Sequence, residues 1–86
     1  MRIEKKTWKD LFEKVLSGEK TFDLRLADFD VKEGDFLVMK EWDQEKGVYT
    51  GRVLEKEITF ILKTKDLKFW TDEEVEKNGF LVMSLK

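Results

Sequence analysis

The sequence contains no cysteine, no histidine and no proline. Without cysteine there is no disulfide, no thiolate metal site and no thiol nucleophile. Without histidine there is no Ser-His-Asp triad, no zincin-type site and no side chain whose ordinary pKa lies near 7. No metal and no cofactor are expected. Long apolar runs are also lacking, and Met1 is followed at once by Arg2, Glu4, Lys5 and Lys6. Neither a secretory leader nor a membrane span is read from that pattern, and the cytoplasm is the expected compartment. Charge of one sign is missing as well. Charged residues make up 42% of the chain, yet the net charge is only -2, with residues 1–43 at -2 and residues 44–86 neutral. A protein held to nucleic acid mainly by neutralising phosphates is ordinarily basic, so any such role must rest on a local patch.

What is present suffices for one small domain spanning residues 1–86. Hydrophobic residues form 41% of the chain and include seven Phe and three Trp. A chain of this length buries only a little over ~60% of the surface its unfolded form exposes, so the core is small.

The hydrophobic period changes along the chain. Residues 7–17 read as a helix, with Thr7 as N-cap, Asp10 three residues on, and Trp8, Leu11, Phe12, Val15 and Leu16 on one face. Gly18 follows as the helix stop. Phe22, Leu24 and Leu26 then alternate with Thr21, Asp23 and Arg25, the pattern of a half-buried strand. A turn-rich connection over 27–34 leads to a strand over 35–42, a hairpin loop over 43–47, and a strand over 48–62 bent near Gly51. After a Lys-rich loop over 63–70, Thr71 and Glu74 spell a capping box with Trp70 and Val75 spaced as its hydrophobic staple. Asn78-Gly79 ends that helix, and residues 80–85 read as a closing strand. A short first strand over 2–5 completes the order β-α-β-β-β-α-β. The expectation is α+β, with about five to six mostly antiparallel strands closed into a small barrel that leaves no exposed edge, and two helices.

The run Gly18-Glu19-Lys20-Thr21-Phe22-Asp23-Leu24-Arg25 resembles the ASCH family signature G-x-K-x-x-E-x-R, with Gly18, Lys20 and Arg25 matching and Asp23 at the family's Glu position. Thr7-Trp8, Leu24 to Phe29, Gly34-Asp35, Glu41-Trp42-Asp43, Tyr49-Thr50-Gly51-Arg52 and Gly79-Phe80 extend the likeness to a short prokaryotic and phage branch of that family. The resemblance implies a PUA-like β-barrel with a cleft beside the first helix. It also implies that the cleft binds RNA or a nucleotide. Some ASCH proteins resemble amidohydrolases acting on N4-acetylcytidine through a Lys, a Thr and a Glu. Lys20 matches that Lys, whereas Asp23 stands where the Thr is usual, with Thr21 nearby.

Read on their own, Asp23 and Arg25 at i, i+2 form either a solvated surface pair worth ~0–1 kcal/mol or an ion pair that fixes a guanidinium for phosphate or carboxylate. Lys20 reads as a point charge for an anion. It becomes a catalytic amine only if its environment lowers a pKa ordinarily near ~10.4. Arg52 beside Gly51 is a candidate second anion contact, and Trp42 before the hairpin a candidate stacking surface. Lys63, Lys65 and Lys68 read as a solvated basic loop, and Lys5 and Lys6 as a possible rim. The expected function is binding of RNA or a nucleotide in a cleft lined by Lys20, Asp23 and Arg25, with Arg52 and Trp42 contributing. The alternatives are an amidohydrolase on N4-acetylcytidine-type substrates, with Lys20 as its catalytic residue, and a small protein-interaction module. The cleft is expected between residues 7–25 and the strand carrying Arg52.

Overall fold

The computed structural model describes residues 1–79. Six elements follow one another: β1 (Arg2–Trp8), α1 (Lys9–Leu16), β2 (Phe36–Asp43), β3 (Val48–Glu57), a 3-10 turn (Thr64–Asp66) and α2 (Asp72–Asn78). The strands form one sheet in the order β1-β2-β3. β1 runs parallel to β2, from Arg2 opposite Phe36 to Trp8 opposite Trp42, and β3 runs antiparallel to β2. Parallel neighbours need a long crossover, and α1 with residues 17–35 supplies it.

Among the described residues this is an open mixed sheet of three strands and not the small PUA-like β-barrel of five to six mostly antiparallel strands that the sequence suggested. Residues 21–26 are outside any strand. Their alternation is real, but Leu24 and Leu26 are 69% and 80% exposed. The reason lies at the edge of β1, where the carbonyl of Lys6 accepts a hydrogen bond from the Arg25 side chain in place of a neighbouring strand's N–H. β3 stops at Glu57 and not at residue 62, because β2 has no residue left to pair with it. Gly34, at φ 96°, turns the chain away there, and Ile58 exchanges the last backbone bonds with Gly34 and Asp35. The expected closing strand at 80–85 lies outside the described residues.

The core is correspondingly compact. Phe12 and Val15 of α1 pack on Leu37 and Met39 of β2, with Leu54 and Ile58 partly buried against them. α1 is shorter than the expected 7–17 and begins at Lys9. Thr7 belongs to β1, is buried, and does not cap the helix. Trp8, Leu11 and Leu16, expected on the apolar face of the helix, remain about half exposed, because the helix leaves β1 directly and turns only a narrow stripe toward the sheet.

Other local signals hold. Residues 44–47 form the turn joining β2 to β3, and Gly47 takes φ 66°. The Asp43 carboxylate accepts from the N–H groups of Glu45 and Lys46. Thr71 and Glu74 form both halves of the capping box of α2, and Gly79 ends it at φ 68°. Trp70 packs edge-to-face against Phe69 and stays half exposed.

Candidate functional site

The last turn of α1 sets the site. The N–H groups of Ser17, Gly18 and Lys20 donate to the carbonyls of Glu13, Val15 and Lys14, and Gly18 takes φ 85°, a conformation that side chains with a Cβ rarely adopt. The chain reverses there and brings Lys20, Asp23 and Arg25 together. The Asp23 carboxylate lies between two cations: one oxygen accepts from Arg25 Nε at 2.7 Å, and the other is 3.7 Å from Lys20 Nζ. Lys20 Nζ also donates to the Phe22 carbonyl at 2.6 Å. Arg25 donates onward to the Lys6 carbonyl and to Thr7 Oγ1, each at 2.9 Å. The guanidinium thereby fastens residues 20–25 to the end of β1. A guanidinium has five N–H donors, and these contacts use three of them.

The three side chains border a recess of about 590 Å³. Its floor includes Val15, Leu37 and Met39, and residues 18–31 and 56–64 form its walls. Leu24, Phe29, Ile58 and Phe60 make the lining mainly apolar, and Lys56 and Lys63 also border it. An apolar recess with a few convergent polar groups at its rim is the usual form of a small-ligand site. Lys20 points its protons at a carbonyl and a carboxylate, an arrangement suited to charge recognition.

Arg52 and Trp42 lie elsewhere. Between Lys40 and Trp42 of β2 a single residue, Glu41, faces three residues of β3, Thr50, Gly51 and Arg52. This bulge, with Gly51 at φ 95°, aims Thr50 and Arg52 at the buried Glu41 carboxylate. Arg52 donates to both Glu41 oxygens, at 2.9 and 2.7 Å, and Thr50 Oγ1 donates at 2.5 Å. Arg52 also bonds Glu13 of α1, and its guanidinium lies 5.0 Å from the Phe12 ring centroid. The hydrogen bonds from Arg52, with those from Thr50, outweigh the burial of Glu41 and hold its carboxyl at about 2, against an ordinary value of 4.5. Hydrogen bonds to Glu41 and Glu13 raise Arg52 further above its ordinary range. Arg52 therefore covers Glu41 and Phe12 and does not line the 590 Å³ recess. Trp42 lies on the sheet face turned away from α1, edge-to-face with Tyr49 at 4.9 Å.

Two partners escaped sequence reasoning. Thr7 is read as a cap yet receives Arg25, and Glu41 enters the sequence reading only within the Glu41-Trp42-Asp43 likeness, with no partner assigned. A signal for Glu41 exists: it alternates with Leu37 and Met39, and an acid on the buried face of a strand demands a cation. Among the described residues, no group of three or more acidic side chains is placed to hold a metal ion.

The model of a family described as a domain of unknown function, DUF3850, matches residues 4–85. The chain belongs to that family. It is also 39% identical over 64 residues to an uncharacterized 12.9 kDa protein in the GpA 3′ region of Escherichia phage P2. That match covers 74% of this chain and 54% of the relative, so the chain spans about half the length of the phage protein. No solved structure matches. Within this DUF3850 chain the match takes in both the 18–25 segment and the Glu41–Arg52 pair.

Proposed function

We propose that the chain binds RNA or a nucleotide in the recess bordered by Lys20, Asp23 and Arg25, and that it does so in the cytoplasm. The observation that carries this reading is the convergence of these three side chains on the rim of a 590 Å³, mainly apolar cavity. A base fits the apolar body of the recess, and Asp23 accepts from a base amino group. Lys20 and the remaining Arg25 donors face phosphate or carbonyl oxygens. The likeness of residues 18–25 to the ASCH signature supports the same reading. So does the pairing of Asp23 with both cations, which holds them in place before a ligand arrives. Titration with single-stranded RNA and with nucleosides at low salt tests it. Lys20→Ala and Arg25→Ala each weaken binding at least ~10-fold, the size expected for a charge-assisted hydrogen bond. Wild-type affinity in both variants would overturn the assignment.

A second reading has one specific observation in its favour: Thr21 and Glu57 border the same recess as Lys20. An amidohydrolase acting on N4-acylated cytidine uses a Lys, a Thr and a Glu. It releases acetate from N4-acetylcytidine, and Lys20→Ala abolishes that release. No acetate from several acylcytidines disposes of this reading. No helix among the described residues is long and apolar enough to cross a membrane.

A further inference from the structure

The sheet has a second face, which α1 leaves uncovered. Register places Lys6 and Trp8 of β1, Lys40 and Trp42 of β2, and Tyr49 and Val53 of β3 on it. Lys6 Nζ stands 3.8 Å from the Trp42 ring centroid and 5.8 Å from that of Tyr49, and Lys40 Nζ stands 5.0 Å from Tyr49. Trp8, Tyr49 and Val53 are each about half exposed. Charge is segregated along this face. Glu4 and Glu55 occupy its other end, where Glu55 pairs with Arg2, while the aromatic end carries Lys6 and Lys40. The nearby Asp43 belongs to the opposite face and is taken up by the hairpin turn.

Planar rings interleaved with cations that form no ion pair among the described residues match the two requirements of single-stranded nucleic acid, which are stacking for bases and positive charge for phosphates. An acidic peptide uses the cations and leaves the rings idle. We infer that this end of the open face is a stacking platform for single-stranded RNA, with Trp42 and Tyr49 taking bases and Lys6 and Lys40 taking the backbone. The inference rests on the recess reading and extends it, because the two sites are joined. Arg25, on the recess rim, donates to the carbonyl of Lys6, whose own side chain lies on the platform. A strand held at the recess therefore crosses the edge of β1 onto the platform, and the ligand is an oligonucleotide more than a single nucleoside. In the free chain Lys6 rests on the Trp42 ring. A stacking base takes its place, and the ammonium moves to a phosphate.

The test compares uridine with a single-stranded uridine oligomer of ~10 nucleotides, within the span that such platforms cover. Tyr49→Ala weakens oligomer binding about tenfold, and Tyr49→Phe restores it. Lys6→Gln with Lys40→Gln lowers the slope of log affinity against log salt by ~1.4, from ~0.7 per phosphate contact on a single strand. Uridine binding is unchanged in all three, and circular dichroism confirms folding. Trp42 is partly packed, so the exposed Tyr49 and the two lysines carry the test. Unchanged oligomer affinity and salt slope, with Lys20→Ala still weakening both ligands, leave the recess standing and overturn the platform. Loss in the platform variants with none in Lys20→Ala leaves the platform and overturns the recess. Self-association abolished by Tyr49→Ala assigns this face to a second copy of the chain and overturns the inference, as does the absence of any oligomer binding.

Discussion

Two clusters of ion pairs reach neighbouring strands, one through Thr7 of β1 and one through Glu41 opposite it on β2, and are built from the same residue types, yet they serve different ends. In the first, Arg52 places its guanidinium on the two oxygens of Glu41, a side chain only 2% exposed, and adds Glu13. Three of its five N–H donors go to these protein carboxylates, and its guanidinium lies 5.0 Å from the Phe12 ring centroid. In the second, Asp23 is shared by Lys20 and Arg25 beside the recess, with all three side chains between 15% and 23% exposed. A carboxylate buried at the sheet and held from β3 keeps structure together. A carboxylate partly exposed beside a cavity and shared by two cations is arranged for a ligand. The pattern of acids and bases in the sequence does not separate these cases, but burial of the carboxylate does, at 2% exposed for Glu41 against 23% for Asp23.

The comparison is broken most severely by Arg52→Ala. It strands a buried carboxylate, and removing one partner of a buried pair is among the more damaging single changes. The melting midpoint falls on the order of 10 °C, read by circular dichroism. Acid separates the clusters next. The Glu41 carboxyl is lowered in the folded state, so its contribution is full above an ordinary value of 4.5 and drains away as pH falls toward about 2. Urea midpoints measured across that window fall steeply in the wild type and less in Glu41→Gln. Lys20→Ala, by contrast, changes stability by less than ~1 kcal/mol while removing ligand binding. A large loss of stability in that variant would make the second cluster structural and erase the distinction.

The mildest functional effects come from the two glycines that set the clusters up. Gly18 and Gly51 have φ of 85° and 95°, and nothing lies within 4 Å of the position a Cβ would take at either. Alanine at each therefore costs about 1–2 kcal/mol of backbone strain and no steric clash. The functional readouts should diverge: Gly18→Ala weakens ligand binding, and Gly51→Ala flattens the acid profile. If both variants alter both readouts equally, the clusters are one cooperative unit.

Much of the local structure was legible because its causes are local. The capping box at Thr71 and Glu74, the stop at Gly79, the turn at Gly47 and the reversal at Gly18 each depend on a few adjacent residues and their φ angles. The meeting of Lys20, Asp23 and Arg25 was legible for the same reason, since they lie within six residues. The alternation at Phe22, Leu24 and Leu26 misled because an extended segment shows period two whether or not a strand pairs with it. Pairing is decided by what occupies the neighbouring edge, and here that is the Arg25 side chain on Lys6. Arg52 misled in a related way. Its partner Glu41 lies 11 residues away, and only the bulge at Gly51 makes them meet.

The sequence by itself determined the soluble charge pattern, the turn and cap positions, the central strand and the close grouping of the signature residues, all of which follow from short-range backbone preference and residue chemistry. Only the tertiary structure decided that β1 lies parallel to β2, that the sheet stays open among the described residues, that Thr7 and Glu41 are buried, and that Arg25 faces a recess while Arg52 seals the core. Those outcomes depend on which distant groups compete for the same edge or carboxylate. That competition is settled by packing across the whole domain, which no short stretch of sequence records.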